Sequence, residues 1–217
     1  MIRPLRLCLS VLPALCLGAA VAAANTASYS AGVPLQTTDW TVTLDIPKFD
    51  STLGTLQSVS IEVRDSLVHK IEFENKSPNS PSTFFDSTYV TVDVMRPAST
   101  SFVTAIAKIY RTASVGVFDN TVDYAGTSGV TFDGIVDYAI SSSSTSAAAD
   151  LALFTGTGTI PLPCQARANF RYGYSGGNAS SKLTTQAAAM VLVTYTYQAA
   201  VVPSLPTSWG RMKSLYR

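Results

Sequence analysis

A strict two-residue alternation of apolar and polar side chains limits this chain more than any other feature. In Trp40-Thr41-Val42-Thr43-Leu44-Asp45-Ile46 every even position is apolar and every odd one polar. Successive side chains of an extended strand point to opposite faces, so such a segment has one oily face and one wet one. The pattern recurs where Val59, Ile61 and Val63 alternate with Ser58, Ser60 and Glu62, and where Leu67, Ile71 and Phe73 alternate with Lys70, Glu72 and Glu74. Arg64-Asp65-Ser66 between these runs reads as a tight connection, which predicts an antiparallel hairpin. Further strands are expected at Tyr89–Met95, Phe102–Tyr110, Val115–Phe118, Val130–Tyr138, Asp150–Phe154, Thr159–Leu162, Ala168–Tyr172 and Ala188–Tyr197. Between them lie breaker-rich loops at Asn75–Ser82, Pro97–Thr100, Asp119–Ser128, Ser141–Ala149 and Ser175–Ser181. The Ala-rich stretch Ser143–Leu153 has the composition for a helical turn or two, but its serine run favours a loop. About ten short strands without a long 3.6-residue period predict an all-β chain, an antiparallel, jelly-roll-like β-sandwich.

Composition agrees. Charged residues make up 13% of the chain, about half the usual share of roughly 25%, and Ser, Thr, Ala and Val fill the difference. That mixture suits pleated sheets with hydroxyl-bearing outer faces. All 14 acidic residues lie between Asp39 and Asp150, whereas residues 151–217 carry only bases: Arg167, Arg171, Lys182, Arg211, Lys213 and Arg217. Such polarity fits pairing within one fold, with head-to-tail association as the lesser reading. Half of those late bases sit in the tail, so no face for nucleic acid is expected.

The first residues carry Arg3 and Arg6, then an apolar run from Leu7 that closes in Ala22-Ala23-Ala24. A basic start, a short apolar core and a small-residue triplet form the pattern of a cleaved secretory signal, with the cut between Ala24 and Asn25. Pro13 and the alanine-rich end argue against a retained membrane anchor, and Leu15 before Cys16 argues against a lipid anchor. The expected organisation is a signal at 1–24, an extended segment at 25–37, a sandwich domain at 38–200 and a disordered basic tail at 201–217. Removing the signal removes Cys8 and Cys16, which leaves Cys164 as a lone thiol, expected to be buried and inert. No stretch of roughly 20 apolar residues follows the signal, so no membrane span is expected after its removal.

No pattern assembles a reactive centre. His69, the only histidine, shares the face of Leu67, Ile71 and Phe73 and is expected to be a packed imidazole with one hydrogen-bond partner. Phe154-Thr155-Gly156-Thr157-Gly158-Thr159 contains Gly-x-Gly, but Pro161 and Pro163 prevent the helix that a phosphate cradle needs. Asp119, Asn120, Asp123 and Asp133 offer oxygen ligands, although not in the order of a calcium loop. Solvated turn carboxylates are the default there, with Asp119, Asp123 and Asp133 the weak calcium candidates. Asn75-Lys76-Ser77 and Asn178-Ala179-Ser180 match the glycan acceptor triplet. Trp40, Tyr89, Tyr172, Tyr174 and Trp209 are available as sugar platforms, while strand propensity accounts for most tyrosines. No catalytic residue, metal centre or cofactor is assigned.

One resemblance stands beside this reading. Ile46-Pro47-Lys48-Phe49-Asp50-Ser51-Thr52-Leu53-Gly54-Thr55-Leu56 resembles the opening signature of the bacterial choice-of-anchor E domain, in which Pro47, Phe49, Asp50, Leu53, Gly54 and Leu56 fall on the motif. Phe154–Leu162 and Val191–Tyr197 are similar to that family's Thr-Gly-rich and Val-x-Tyr-x-Tyr ends. The similarity runs from about residue 38 to 198. The family implies an exported surface or matrix protein without an enzymatic site, often followed by a PEP-CTERM-type sorting signal. Val202-Pro203-Ser204-Leu205-Pro206 is similar to the start of such a signal, with Ser204 in place of Glu and no apolar span after it. Independently of the resemblance, Gly54 suits a turn that needs a positive φ, with Phe49 packed beneath it and Asp50 bonded to its backbone. The expected function is therefore structural or adhesive, with self-association or extracellular polysaccharide as the partner. A carbohydrate-binding module is the alternative.

Overall fold

In a computed structural model, which describes residues 24–200, the alternation becomes two antiparallel sheets packed face to face. The strands are β1 (Asn25–Thr37), β2 (Trp40–Pro47), β3 (Gly54–Asn75), β4 (Ser82–Met95), β5 (Ser101–Val115), β6 (Gly129–Thr145), β7 (Thr159–Tyr174) and β8 (Ala179–Ala199). One sheet, called A below, has the order β1-β8-β3-β6, and sheet B has the order β2-β7-β4-β5. Every connection between strands passes from one sheet to the other except the β4–β5 hairpin. Two interlocked Greek keys of this kind make a jelly roll.

Inward residues of both sheets form the core. Val59, Ile61, Val63 and Leu67 of β3 and Val191, Val193 and Tyr195 of β8 pack against Val90, Val92 and Val94 of β4 and Leu162 and Cys164 of β7. A smaller cluster of Ile71, Phe73, Phe84 and Val115 fills the end where β3 finishes and β4 begins, with Phe73 and Phe84 stacked at 4.6 Å between ring centroids. Trp40, the first residue of β2, donates its ring N–H to the Ala187 carbonyl at 3.2 Å, joining the two sheets.

The expected hairpin at Arg64-Asp65-Ser66 is absent. Those residues continue β3 as one 22-residue strand, with Arg64 exposed, Asp65 buried and Ser66 between. Three polar residues in a row resemble a turn, but they keep the period, and Asp65 occupies a core position. Mergers in β3 and β7, the added strand β1, and the loss of the strand expected at Val115–Phe118, where β5 stops at Val115 and the breaker Gly116 follows, leave eight long strands. β7 likewise runs through Pro161 and Pro163. The Ala168 N–H faces the β2 side, so alternation aims odd-numbered nitrogens of β7 toward β4, whose pairing starts only at Cys164. Both prolines thus sit where no donor is required. The strand expected at Asp150–Phe154 is instead a short helix, α1 (Ala148–Phe154), as its alanine content allows. Arg96 holds Asp150 through two bonds of 2.7 and 2.9 Å, and Thr145 adds a third at 2.8 Å. The N-terminal segment 25–37 is a full strand of the sandwich, paired along β8. Residues 1–23 and 201–217, which hold most of the expected signal and the whole expected tail, lie outside the described residues; Asn25 is the first residue of β1.

Candidate functional site

Three places differ in chemistry, two of them built on residues to which the sequence points. The first lies between the sheets. β3 aims Asp65 and His69 inward, β4 aims Asp86 and Thr88, and β8 aims Thr185. His69 Nδ1 lies 3.0 Å from the Thr185 hydroxyl. Its Nε2 lies 3.2 Å from Asp86 Oδ2, but at an angle that makes no hydrogen bond, so both atoms lack a directed partner. Thr88 donates to the other Asp86 oxygen at 2.9 Å. His69 and Asp86 are 0% exposed and Thr185 is 9% exposed. A hydroxyl, an imidazole and a carboxylate in line have the order of a nucleophile with its base, yet they are closed off between two sheets. Buried polar groups of this kind cost desolvation, which their mutual contacts offset only in part. Sequence placed His69 on the core face and did not find Asp86, because an aspartate in the alternating run Phe84–Thr88 carries no mark of its partner.

Asp65 belongs to the same inward row. Its Oδ2 accepts the Ala107 N–H of β5 at 3.3 Å, and its Oδ1 has no partner. Burial pushes this carboxyl up to about 7, the Ala107 bond opposes the shift, and nearby Asp137 adds to it. Asp137 of β6 accepts the next amide of β5, Lys108 N–H, at 2.8 Å. Two carboxylates from sheet A thus occupy neighbouring amides of the outermost strand of sheet B. Cys164 is fully buried, and burial pushes its thiol up to about 12, with Asp93 and Asp65 adding to it, which leaves it unreactive.

The second place is the signature segment 47–56. Phe49 is 1% exposed and sits against Tyr197 and Tyr195 at centroid distances of 5.0 and 6.0 Å. Its N–H donates to the Phe154 carbonyl at 2.8 Å, and its carbonyl accepts from Gly156 at 3.0 Å. The Tyr195 hydroxyl donates to the Pro47 carbonyl at 2.8 Å. Asp50 caps the short 3-10 turn Ser51–Leu53 by accepting the Thr52 N–H at 2.9 Å, a bond that holds its carboxyl below the usual range. Gly54 has φ +148°, and a Cβ there would strike the Gln198 carbonyl oxygen. Leu56 is buried and Leu53 exposed. Pro47, Phe49, Asp50, Gly54 and Leu56 therefore tie the β2–β3 crossover to β8 and α1, a structural clasp.

The calcium candidates are dispersed in role. Asp119 accepts the Thr121 N–H at 3.0 Å, which lowers its pKa; Asp123 accepts the Ala125 N–H at 2.9 Å; Asp133 pairs with Lys70 at 3.2 Å. Among the described residues no three carboxylate, histidine or cysteine side chains converge as a metal site would require. Asn75 of the first glycan triplet is buried and bonds Ser80 and Gly116 through its amide.

The third place is a furrow of about 580 Å³ on the outer face of sheet A, whose floor includes Gly32, Ser66 and Ala188. Pro34, Arg64, Tyr138 and Met190 border it. Tyr138 is 71% exposed, and Ile140 and Met190 are also exposed. A floor of small side chains beside an open ring is a shape that sequence alone does not reveal, since it joins four strands.

Strand order and sealed interior together define an all-β jelly-roll sandwich. The sequence matches no family model and no curated protein. Among solved structures, one from Desmodium yellow mottle tymovirus is 9% identical, aligned over 94% of this chain and 98% of that one, with a TM-score of 0.21. The infectious bursal disease virus VP2 subviral particle is 12% identical with a TM-score of 0.24. That alignment covers 88% of this chain and 43% of the VP2 chain, so the present chain spans less than half of VP2. TM-scores this low add nothing to what the strand order already defines. No helix among the described residues is long and apolar enough to cross a membrane.

Proposed function

We propose that this chain is an exported, non-catalytic jelly roll with a structural or adhesive role at a cell surface or in an extracellular matrix. The observation that carries this reading is the placement of its ionisable groups. Among the described residues the cluster with catalytic composition, His69, Asp86 and Thr185, lies between the sheets, whereas the open surfaces are strand faces and edges with exposed rings. The signal-like residues 1–24 and the likeness of residues 46–56 to the choice-of-anchor E signature support the same reading. Fractionation of the source cells, with the mass of the mature protein, tests it. The expected result is a chain starting at Asn25, found outside the cytoplasm and able to rebind envelope or matrix material after purification. A cytoplasmic chain that keeps residues 1–24 would overturn it.

The furrow on sheet A favours a second reading, capture of extracellular polysaccharide. A half-open groove with a free tyrosine ring suits stacking against a sugar face. Electrophoresis through gels that contain polysaccharide should retard the protein, and Tyr138→Ala should abolish that retardation. Unchanged mobility of the unaltered protein in every gel would exclude it.

A further inference from the structure

Sheet edges expose unpaired amides and carbonyls, and proteins usually block them. Most edges here are blocked. On β5 the Lys108 amide, which faces the free side, is taken by Asp137. β1 carries Pro34 at a register break between Val33 and Gln36, and β6 carries Gly134 at φ +61° beside its own break. β7 differs. Its partner β2 covers only Thr159–Ala166, and Asp39 then takes the Ala168 N–H at 2.7 Å. From Asn169 to Tyr174 β7 has β4 on one side and, among the described residues, no strand on the other. No proline, bulge or capping carboxylate protects this stretch.

The side chains there are apolar and uncovered. Phe170, Tyr172 and Tyr174 continue the inward row of sheet B, yet they are 59%, 42% and 43% exposed. β1 ends at the level of Gln186, so among the described residues β8 also lacks an outer strand beside them. A notch of about 420 Å³, bordered by Asp39, Phe170 and Leu183, opens between the two sheets at this point.

We propose that two copies of this chain pair antiparallel through the free edge of β7, about a dyad at Tyr172. The pairing rests on the structural role proposed above and names a second copy as the partner. Register follows from parity. The Ala168 N–H points to the free side and the Ser175 N–H donates to Thr83 of β4 at 2.9 Å. Phe170, Tyr172 and Tyr174 therefore present their backbone groups outward. Centring on Tyr172 sets Tyr172 opposite its own copy and Phe170 opposite Tyr174, as hydrogen-bonded pairs. The same register sets Arg171 opposite Gly173, so the basic side chains do not face each other. Each half-exposed ring offers about 100 Å². Rings and edge backbone from both copies together reach about 1,000 Å², the lower bound for a specific interface. A two-fold contact of this kind closes at the dimer.

Cysteine crosslinking tests the register in the full chain carrying Cys8→Ser and Cys16→Ser, with Cys164 buried out of reach. Residues opposite at a hydrogen-bonded pair have Cα atoms about 5.5 Å apart, within disulfide range. Under mild oxidation Tyr172→Cys should crosslink to a dimer at least about tenfold faster than Arg171→Cys. Sedimentation should find a dimer that Tyr172→Pro weakens about tenfold or more, because the proline removes a donor only from the free edge. A proline variant that fails to fold leaves the crosslink to decide. Equal crosslinking at 171 and 172, or an unaltered chain that stays monomeric at about 100 μM, overturns the pairing; so does a dimer formed only after residues 201–217 are removed, which would make that segment the occupant. Envelope binding is read separately from mass, so either result can fail without the other.

Discussion

Replacing Asp65 with Asn should remove a pH dependence of stability that this single carboxyl creates. Its pKa of about 7 in the fold stands against about 3.9 in an unfolded chain. The fold therefore disfavours the charged form, and stability present below about pH 4 is lost as pH rises to about 7. A shift of about three units corresponds to roughly 4 kcal/mol, which screening near the β5–β6 seam reduces to about 2 kcal/mol. Asn keeps an acceptor for the Ala107 N–H and carries no charge to bury. Chemical denaturation of both proteins at pH 4 and pH 8 measures the effect as a difference of differences, so contributions independent of Asp65 cancel. Unaltered protein should lose about 2 kcal/mol more than the variant between those values. Parallel loss in the two proteins would refute the account of Asp65 as a buried, under-satisfied carboxyl.

His69→Ala leaves Asp86 buried without its imidazole and should cost about 3 kcal/mol in denaturation, while any binding by the outer sheet faces persists. Gly54→Ala should cost about 3 kcal/mol or prevent folding, through the positive φ and the clash with the Gln198 carbonyl; a stability equal to the unaltered protein would exclude the clasp. Arg96 holds the Asp150 carboxyl below its usual range, so their pair stabilises above the unfolded carboxylate range and is lost as pH falls through the lowered value. Asp150→Asn should therefore flatten the acid limb of the stability profile.

Two-residue periodicity was enough to read the sandwich and to put His69 on the inner row. It misread Arg64-Asp65-Ser66, because buried carboxylates look like turn residues until the strand that satisfies them is known. Ala148–Phe154 is a helix whose Asp150 is held by nearby Thr145 and by Arg96, which lies far away in sequence and so left no local signal. The role given to Asp50 was legible, since its bond to Thr52 is local. Asp86 beneath His69, the furrow under Tyr138 and the bare edge of β7 were not, because each arises where strands distant in the chain meet.

The order of the strands also sets a timetable. β1 lies beside β8, and β3 needs β8 for its longest ladder, so sheet A has no centre until the last strand has been made. Local pairing offers only the β4–β5 hairpin as an early nucleus, and a topology this non-local is expected to fold in milliseconds to seconds. A nascent copy thus stays loose until β8 has been made. That is a burden wherever sticky strands accumulate, and an advantage for any polymer that has to be threaded through a narrow pore before it takes shape.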